Sequence, residues 1–233
     1  MYFSMMTLKK DGARTGRPSP LLESEGYRLH QAIWNLFPAD RDAGRDFLFR
    51  REDERRAGPR YYIVSAREPA PPDDAWALGV KPYEPRLTVG ERLAFRLRAN
   101  PVRTRQDADG RHHRHDVVMD AKCDLKREGV PREAWPPLYV LAHQAGLTWL
   151  RERCERHGFD FGEGAVRVEN HQQHRFNKPG RTGGTEGRRV ELSTLDFVGV
   201  LTVTDPERLT TALFSGIGPA KGFGCGLLLV RRV

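Results

Sequence analysis

Two successive stretches of this chain carry apolar patterns in one and the same order. Few folds are open to a sequence that does so. Residues 2–8 (YFSMMTL) read as a strand, and residues 10–19, rich in Lys, Gly, Arg, Pro and Ser, read as a loop. A helix is expected from about Leu21 to Phe37, stopped by Pro38. On a wheel of about 100° per residue, Leu22, Leu29, Ile33, Leu36 and Phe37 form one apolar stripe. Arg45–Arg50 (RDFLFR) and Arg60–Ala66 (RYYIVSA) are strand-like, and Pro69 to Asp74 breaks the pattern. Val80–Leu87 is expected as a fourth strand in spite of Pro82 and Pro85.

Thr88–Gly90 reads as a turn into the second set. In Arg92–Arg98, Leu93, Phe95 and Leu97 alternate with Arg92, Ala94, Arg96 and Arg98, the period-two pattern of a half-buried strand. Residues 106–116 (QDADGRHHRHD) are expected to be a mobile polar loop. Pro136 and Pro137 precede a helix from about Leu138 to Arg156. Val166–His174 and Arg189–Val203 read as strands around a Gly/Thr-rich connection at 179–187. Asp205 suits an N-cap with Pro206 at the first helical position, and a short helix runs to Phe214. A glycine-rich turn and a strand, Gly222–Val230, complete the set. The order is βαββ(α)β followed by βαββαβ, which is that of the ferredoxin-like motif. The expected fold is α+β: two tandem ferredoxin-like domains, residues 1–88 and 91–233, joined by a short linker. The second helix of the first copy is its weak element, since residues 71–79 barely support one turn.

The 233 residues hold 39 Lys and Arg against 31 Asp and Glu, a net charge of +8. A basic excess favours an anionic partner, nucleic acid or membrane surface. No apolar run approaches the ~18 residues of a membrane span, and no amphipathic basic helix is evident, which favours RNA over membrane. The start, MYFSMMTLKK, has the wrong order for a signal peptide, so the expected compartment is the cytoplasm. Cys123, Cys154 and Cys225 form no CxxC pair, which argues against a disulfide scaffold or a cysteine-rich zinc site.

Four motifs bear on chemistry. Tyr27-Arg28-Leu29-His30 puts Tyr27, His30 and Trp34 on one side of the first helix, at the border of its apolar stripe. An edge histidine flanked by aromatics suits a general acid or base. Taken alone, the spacing fits a packed histidine with no chemistry better than it fits a catalytic one. Gly216 to Gly226 (GIGPAKGFGCG) places five glycines in eleven residues. They permit close backbone approach, and exposed N–H groups beside Lys221 can hold phosphate. The alternative is a tight connection needing positive φ. Arg92, Arg96, Arg98, Arg103 and Arg105 form one basic cluster. Arg175, Lys178, Arg181, Arg188 and Arg189 form another beside a broken connection, where a hairpin tip can grip RNA phosphates. His112-His113-Arg114-His115 lacks a complete metal-ligand set and reads as a basic loop. Asp40, Asp42 and Asp46, the nearest carboxylate cluster for a metal-dependent nuclease, sit among arginines.

MYFS, YRLHQAIWNLFP, RDFLFR, FRLRANPVRT, DFVGVLTVTD and GIGPAKGFGCGLL resemble, in the same order across both halves, the CasE family. These are the CRISPR RNA-processing endoribonucleases of type I-E Cascade complexes. The resemblance implies two tandem ferredoxin-like domains. It implies cleavage of repeat RNA at the base of a hairpin, with the enzyme staying bound to its product. It implies His30 as the catalytic histidine and Tyr27 as its assistant at the scissile phosphate. The RNA contacts it suggests, together with the basic clusters, are Arg96, Arg98, Arg103, Arg105, Arg175, Lys178, Arg181, Gly216, Gly218, Lys221, Gly222, Gly224 and Gly226. The implied reaction needs no metal or cofactor. The RNA 2′-hydroxyl attacks the adjacent phosphorus, giving a 2′,3′-cyclic phosphate and a 5′-hydroxyl, with His30 as base or acid. The implied partners are the repeat RNA hairpin and other Cascade subunits. The alternative is a non-catalytic RNA-binding assembly subunit on the same fold, for which the Tyr27/His30 pair would be unnecessary.

Overall fold

The computed structural model describes residues 1–9, 20–23, 26–37, 44–54, 58–106, 109–178 and 188–233. The first half comprises β1 (Tyr2–Leu8), α1 (Pro20–Glu23), α2 (Tyr27–Trp34), β2 (Phe47–Glu54), β3 (Gly58–Ser65) and β4 (Trp76–Pro82). Its strands pair antiparallel in the order β2-β3-β1-β4. The second half comprises β5 (Arg92–Ala99), β6 (Val102–Gln106), β7 (His112–Asp116), α3 (Val117–Arg127), α4 (Leu138–His157), β8 (Phe159–Asp160), β9 (Val166–Lys178), β10 (Arg188–Val203), α5 (Pro206–Ser215) and β11 (Leu228–Arg232). There the order is β11-β5-β10, with β9 and the short β8 on the far side of β10. Both sheets therefore run fourth, first, third, second, the permutation of the ferredoxin-like fold expected from the sequence.

Alternation decides which face each strand buries. On β5, Leu93, Phe95 and Leu97 are buried beneath Trp149 and Leu150 of α4 and Leu209 and Leu213 of α5. On the first sheet, Met6, Phe49, Ile63 and Trp76 pack under Leu29 and Ile33 of α2. Asp205 caps α5 as expected, accepting from Glu207 N and Arg208 N at 3.1 and 3.0 Å.

Four expectations are corrected. The helix anticipated from Leu21 to Phe37 is two helices, parted at Gly26, whose φ is +64°. A Cβ there would stand 2.7 Å from the Phe176 ring, so a close approach from β9 sets the break. The fourth strand begins at Trp76, not Val80, because Trp76 is a core residue paired with Leu8 whereas Pro82 and Pro85 lack a donor. The polar stretch 106–116 is a loop only in part. Arg103, Thr104 and Arg105 pair with His115, Arg114 and His113 in a hairpin that leads into α3. Between β3 and β4, residues 66–75 bend and turn without a helix, so the weak second helix of the first copy does not form, whereas the last strand follows its glycine-rich turn at Leu228 as expected. The connection at 179–187, with Arg181, lies outside the described residues, as do the loop at 10–19 and Asp40 and Asp42.

The halves meet across Leu48, Val64 and Leu227, with Tyr83 edge-on to Phe214 at 5.6 Å. Beside this apolar seam lies a charged one. Asp196 of β10 receives a fork from Arg98 of β5 at 2.9 Å on each oxygen, and Arg50 of β2 approaches it to 3.5 Å. Arg50 also lies 3.2 Å from Glu52, and Glu52 lies 3.4 Å from Arg96. Burial lowers the pKa of Arg50. The Asp196 carboxylate outweighs burial at Arg98 and raises its pKa.

Candidate active site

The amphipathic α2 presents His30 beside its buried face rather than on it. The His30 ring is ringed by aromatics: Trp34 at 5.8 Å, Tyr27 at 6.3 Å, Phe223 at 6.4 Å and Phe47 at 6.5 Å between centroids. Tyr27 and Trp34 come from its own helix, Phe47 from β2 and Phe223 from the loop after α5. Phe176 of β9 completes the surround, 4.8 Å from Phe223 and tight against Gly26. The imidazole is thereby fixed in place while remaining half-exposed.

The loop from Gly216 to Gly226 closes on itself through Ile217 N donating to Gly226 O at 2.9 Å. It is tied to β5 by Gly226 N donating to Arg98 O at 2.7 Å. Its glycines divide by role. Gly216, Gly224 and Gly226 are buried, the first against Leu48 and the second against Phe49, both of the other half. Gly218 abuts Trp149. At Gly222 a Cβ would stand 3.4 Å from Cε1 and Nδ1 of His30 and 3.5 Å from Nη1 of Arg45. Four of the five glycines thus seat the loop on the protein, and Gly222 presents bare backbone to the histidine.

Tyr27, His30, Trp34, Arg45, Lys221, Gly222 and Phe223 line a cleft of about 600 Å³. Burial, then Arg45 and Arg156, push the Lys221 ammonium below its ordinary pKa. Arg45 is exposed as a residue, but loss of water around its guanidinium lowers its pKa. Behind the loop, burial first and then Arg156, Arg153 and Lys221 pull the His157 imidazole down to about 4. The folded protein thus keeps His157 neutral where the unfolded chain takes up a proton near pH ~6.5. Its stabilising contribution is complete above that pH and is lost as pH falls toward 4. Thermal melts should show Tm falling between pH 7 and pH 4.5, and His157→Gln should flatten that slope.

The structure brings together His30, Tyr27, Lys221 and Gly222, with Gly218 at the rim of the same cleft. It does not bring the first basic cluster there. Arg96 lines a separate cleft between the sheets, with Phe3, Tyr62, Lys81, Tyr83 and Arg231. Arg98 is held by Asp196, and Arg103 by Glu152 at 2.7 Å. Arg105 is held by Asp120 at 2.7 Å, which raises its pKa. Arg175, exposed on β9 next to Phe176, lies 3.6 Å from Glu191, and Lys178 ends the same strand. Asp46 is engaged by Arg67 at 2.7 and 2.8 Å. Among the described residues no group of three or more His, Cys, Asp or Glu is arranged to hold a metal ion, and His113 and His115 stand 6.5 Å apart on the hairpin. No helix among them is long and apolar enough to cross a membrane. The sequence reading missed Arg45, Phe176 and Phe223. Arg45's only sequence signal is its place just ahead of the strand core Phe47–Phe49.

A family model described as "CRISPR associated protein" matches residues 1–232. The chain is 34% identical over 203 residues to the CRISPR system Cascade subunit CasE of Escherichia coli K12, covering 87% of this chain and 89% of that one. It is 30% identical over 216 residues to the CRISPR-associated endoribonuclease Cse3 of Thermus thermophilus, covering 88% and 89%. A solved structure of CRISPR endoribonuclease Cse3 bound to a 19-nucleotide RNA superposes with a TM-score of 0.70 at 26% identity, over 99% of this chain and all of that one.

Proposed function

This chain belongs to the CasE family of CRISPR-associated proteins, and from that premise we propose that it is the endoribonuclease that cuts precursor CRISPR RNA at the base of the repeat hairpin and stays on the product as a Cascade subunit. The observation that carries the reading is the shared cleft in which His30 and Tyr27 of one half face Lys221 and Gly222 of the other. A polyanion laid over the seam would meet a proton-transfer group and a cation at one point.

The chemistry follows from these groups. The 2′-oxygen upstream of the cut bonds to phosphorus as the P–O5′ bond breaks. The 2′-hydroxyl proton must be removed and the 5′-oxygen must receive one. His30 takes one of these transfers. Tyr27, one turn earlier, orients the 2′-hydroxyl or donates to a phosphoryl oxygen. Lys221 and the bare backbone at Gly222 meet the charge that builds on the phosphoryl group. The aromatic surround holds the imidazole in line, and much of the acceleration rests on that positioning. The products are a 2′,3′-cyclic phosphate and a 5′-hydroxyl, formed without a metal ion.

Arg175, Lys178 and Arg181 belong to this reading as the grip of the β9–β10 arm on the hairpin. Arg96, Arg103 and Arg105 belong to it as further cations, for which RNA phosphate would compete with the carboxylates that now hold them, and Arg98, largely buried in its fork on Asp196, belongs to it by holding the seam beneath the RNA. Gly216, Gly224 and Gly226 serve RNA through the shape of the loop. The division into domains at 1–88 and 91–233 is part of the same proposal, supported by the two sheets and their separate cores.

The test is incubation of the purified protein with its hairpin repeat RNA in EDTA. Cleavage at a single position at the hairpin base is expected, with a cyclic phosphate on the upstream fragment. Replacing the one nucleotide 5′ to the cut by its 2′-deoxy form should abolish it, since the nucleophile is then missing. An uncut hairpin, or cutting of the deoxy substrate at the normal rate, overturns the reading.

A further inference from the structure

Most arginines within the fold stand beside a carboxylate: Arg50 and Arg98 beside Asp196, Arg67 beside Asp46, Arg103 beside Glu152, Arg105 beside Asp120. The cleft that holds His30 is built differently. Arg45 and Lys221 both line it, and no carboxylate does so among the described residues. The cations that face Lys221 are Arg45 and Arg156, both repelling it. Around Gly222 the approach is tight, with the Arg45 Nη1 and the His30 ring within 3.4–3.5 Å of the point where a side chain would begin. A guanidinium, an imidazole and the loop that bears an ammonium therefore converge on one bare stretch of backbone. Two like charges turned into one partly shielded cleft raise the energy of the empty protein, and an anion that touches both removes that cost. A phosphoryl group gathers negative charge during in-line displacement, so such a site binds the transition state more tightly than the resting diester.

We propose that Arg45 is a catalytic residue that, with Lys221, clamps the scissile phosphate of the RNA. The inference rests on the endoribonuclease reading above. Arg45 presents a planar fork to the two non-bridging oxygens, and Lys221 supplies a point charge from the glycine-rich loop. His30 lines the same cleft against Gly222, where it would serve the bridging oxygens whose protons move. The clamp makes and breaks no bond itself. It holds the phosphorus in line and screens the charge that the attacking 2′-oxygen brings.

The experiment uses the full chain and two RNAs, the cleavable hairpin and its 2′-deoxy form, the latter for affinity. Under single-turnover conditions with saturating enzyme, Arg45→Ala should slow cleavage about 10²-fold. Affinity for the deoxy hairpin should fall only several-fold, by the factor that a neutral scissile linkage costs the wild type and far less than the rate, because the arm and the rest of the basic surface remain. Arg45→Lys should recover part of the rate and not all, because the charge returns without the fork. A second measurement is independent of the variants' folding. A deoxy hairpin with a neutral methylphosphonate at the scissile linkage should bind the wild type several-fold more weakly than the phosphate form, and a variant at Arg45 should lose that preference. If the wild type cuts and Arg45→Ala cuts within threefold of it, the clamp is overturned and the endoribonuclease stands. Equal binding of the charged and neutral linkages by the wild type also overturns the clamp. If the wild type does not cut, the endoribonuclease reading itself fails.

Discussion

His30→Ala should cut hairpin repeat RNA about 10²–10⁴-fold more slowly than the wild type, the range expected when one general acid or base is removed. Affinity for the hairpin should survive. His30 contributes a half-exposed ring to a cleft whose cations are other side chains, Arg45 and Lys221. The substitution removes a ring packed near four aromatics, so some loosening of Phe223 and the loop is expected. His30→Gln fills more of that space without the titrating imidazole and separates packing from proton transfer. Both variants should bind the 2′-deoxy hairpin like the wild type, measured by filter retention, and both should show the same large loss of cleavage rate. An alanine variant that cleaves at the wild-type rate would remove His30 from the chemistry.

Asp196→Asn should cost roughly 3–5 kcal/mol of stability, the range for breaking a buried charge pair from one side. Asp196 is 3% exposed and is the common anion for Arg98 and Arg50, one from each half, with Asn170 also donating to it at 3.3 Å. Asparagine keeps the shape and loses the charge, leaving two largely buried guanidiniums side by side. For a chain of this length each kcal/mol shifts Tm by about 2–4 °C, so a fall near 10 °C is expected by calorimetry. A change under ~2 °C would mean that Arg50 and Arg98 find other anions or water. Arg98→Met combined with Asp196→Leu should recover part of the loss, because it removes both members of the stronger pair.

What was legible in the sequence was what neighbours along the chain decide. Leu93, Phe95 and Leu97 declare a half-buried strand by alternation alone. Asp205 and Pro206 start α5 where local rules put it. The ordered helix from Leu138 needed only its own composition. Distant partners wrote the rest. Nothing near Gly26 announces that Phe176 will press against it, so the first helix read as continuous. The hairpin at 102–116 buries almost nothing on its second strand, where His112 to His115 are all exposed, and a strand without a buried face carries no period to detect. Tyr27 and His30 could be singled out because helical spacing sets them together and the family resemblance gave them roles. Arg45 could not, because its meaning depends on a loop that arrives from the other half.

The cleft is made of pieces that belong to two different hydrophobic cores, His30 above one and Lys221 beyond the other. On the proposed reading of that cleft, catalytic competence is a report on docking, not on folding. A lesion at the seam, in Leu48 or Leu227 or in the Asp196 cluster, can leave both sheets intact and spectroscopically native while the histidine and the cations drift out of register. Such a protein would be soluble, folded and silent, and its defect would look chemical although no reacting group had been touched.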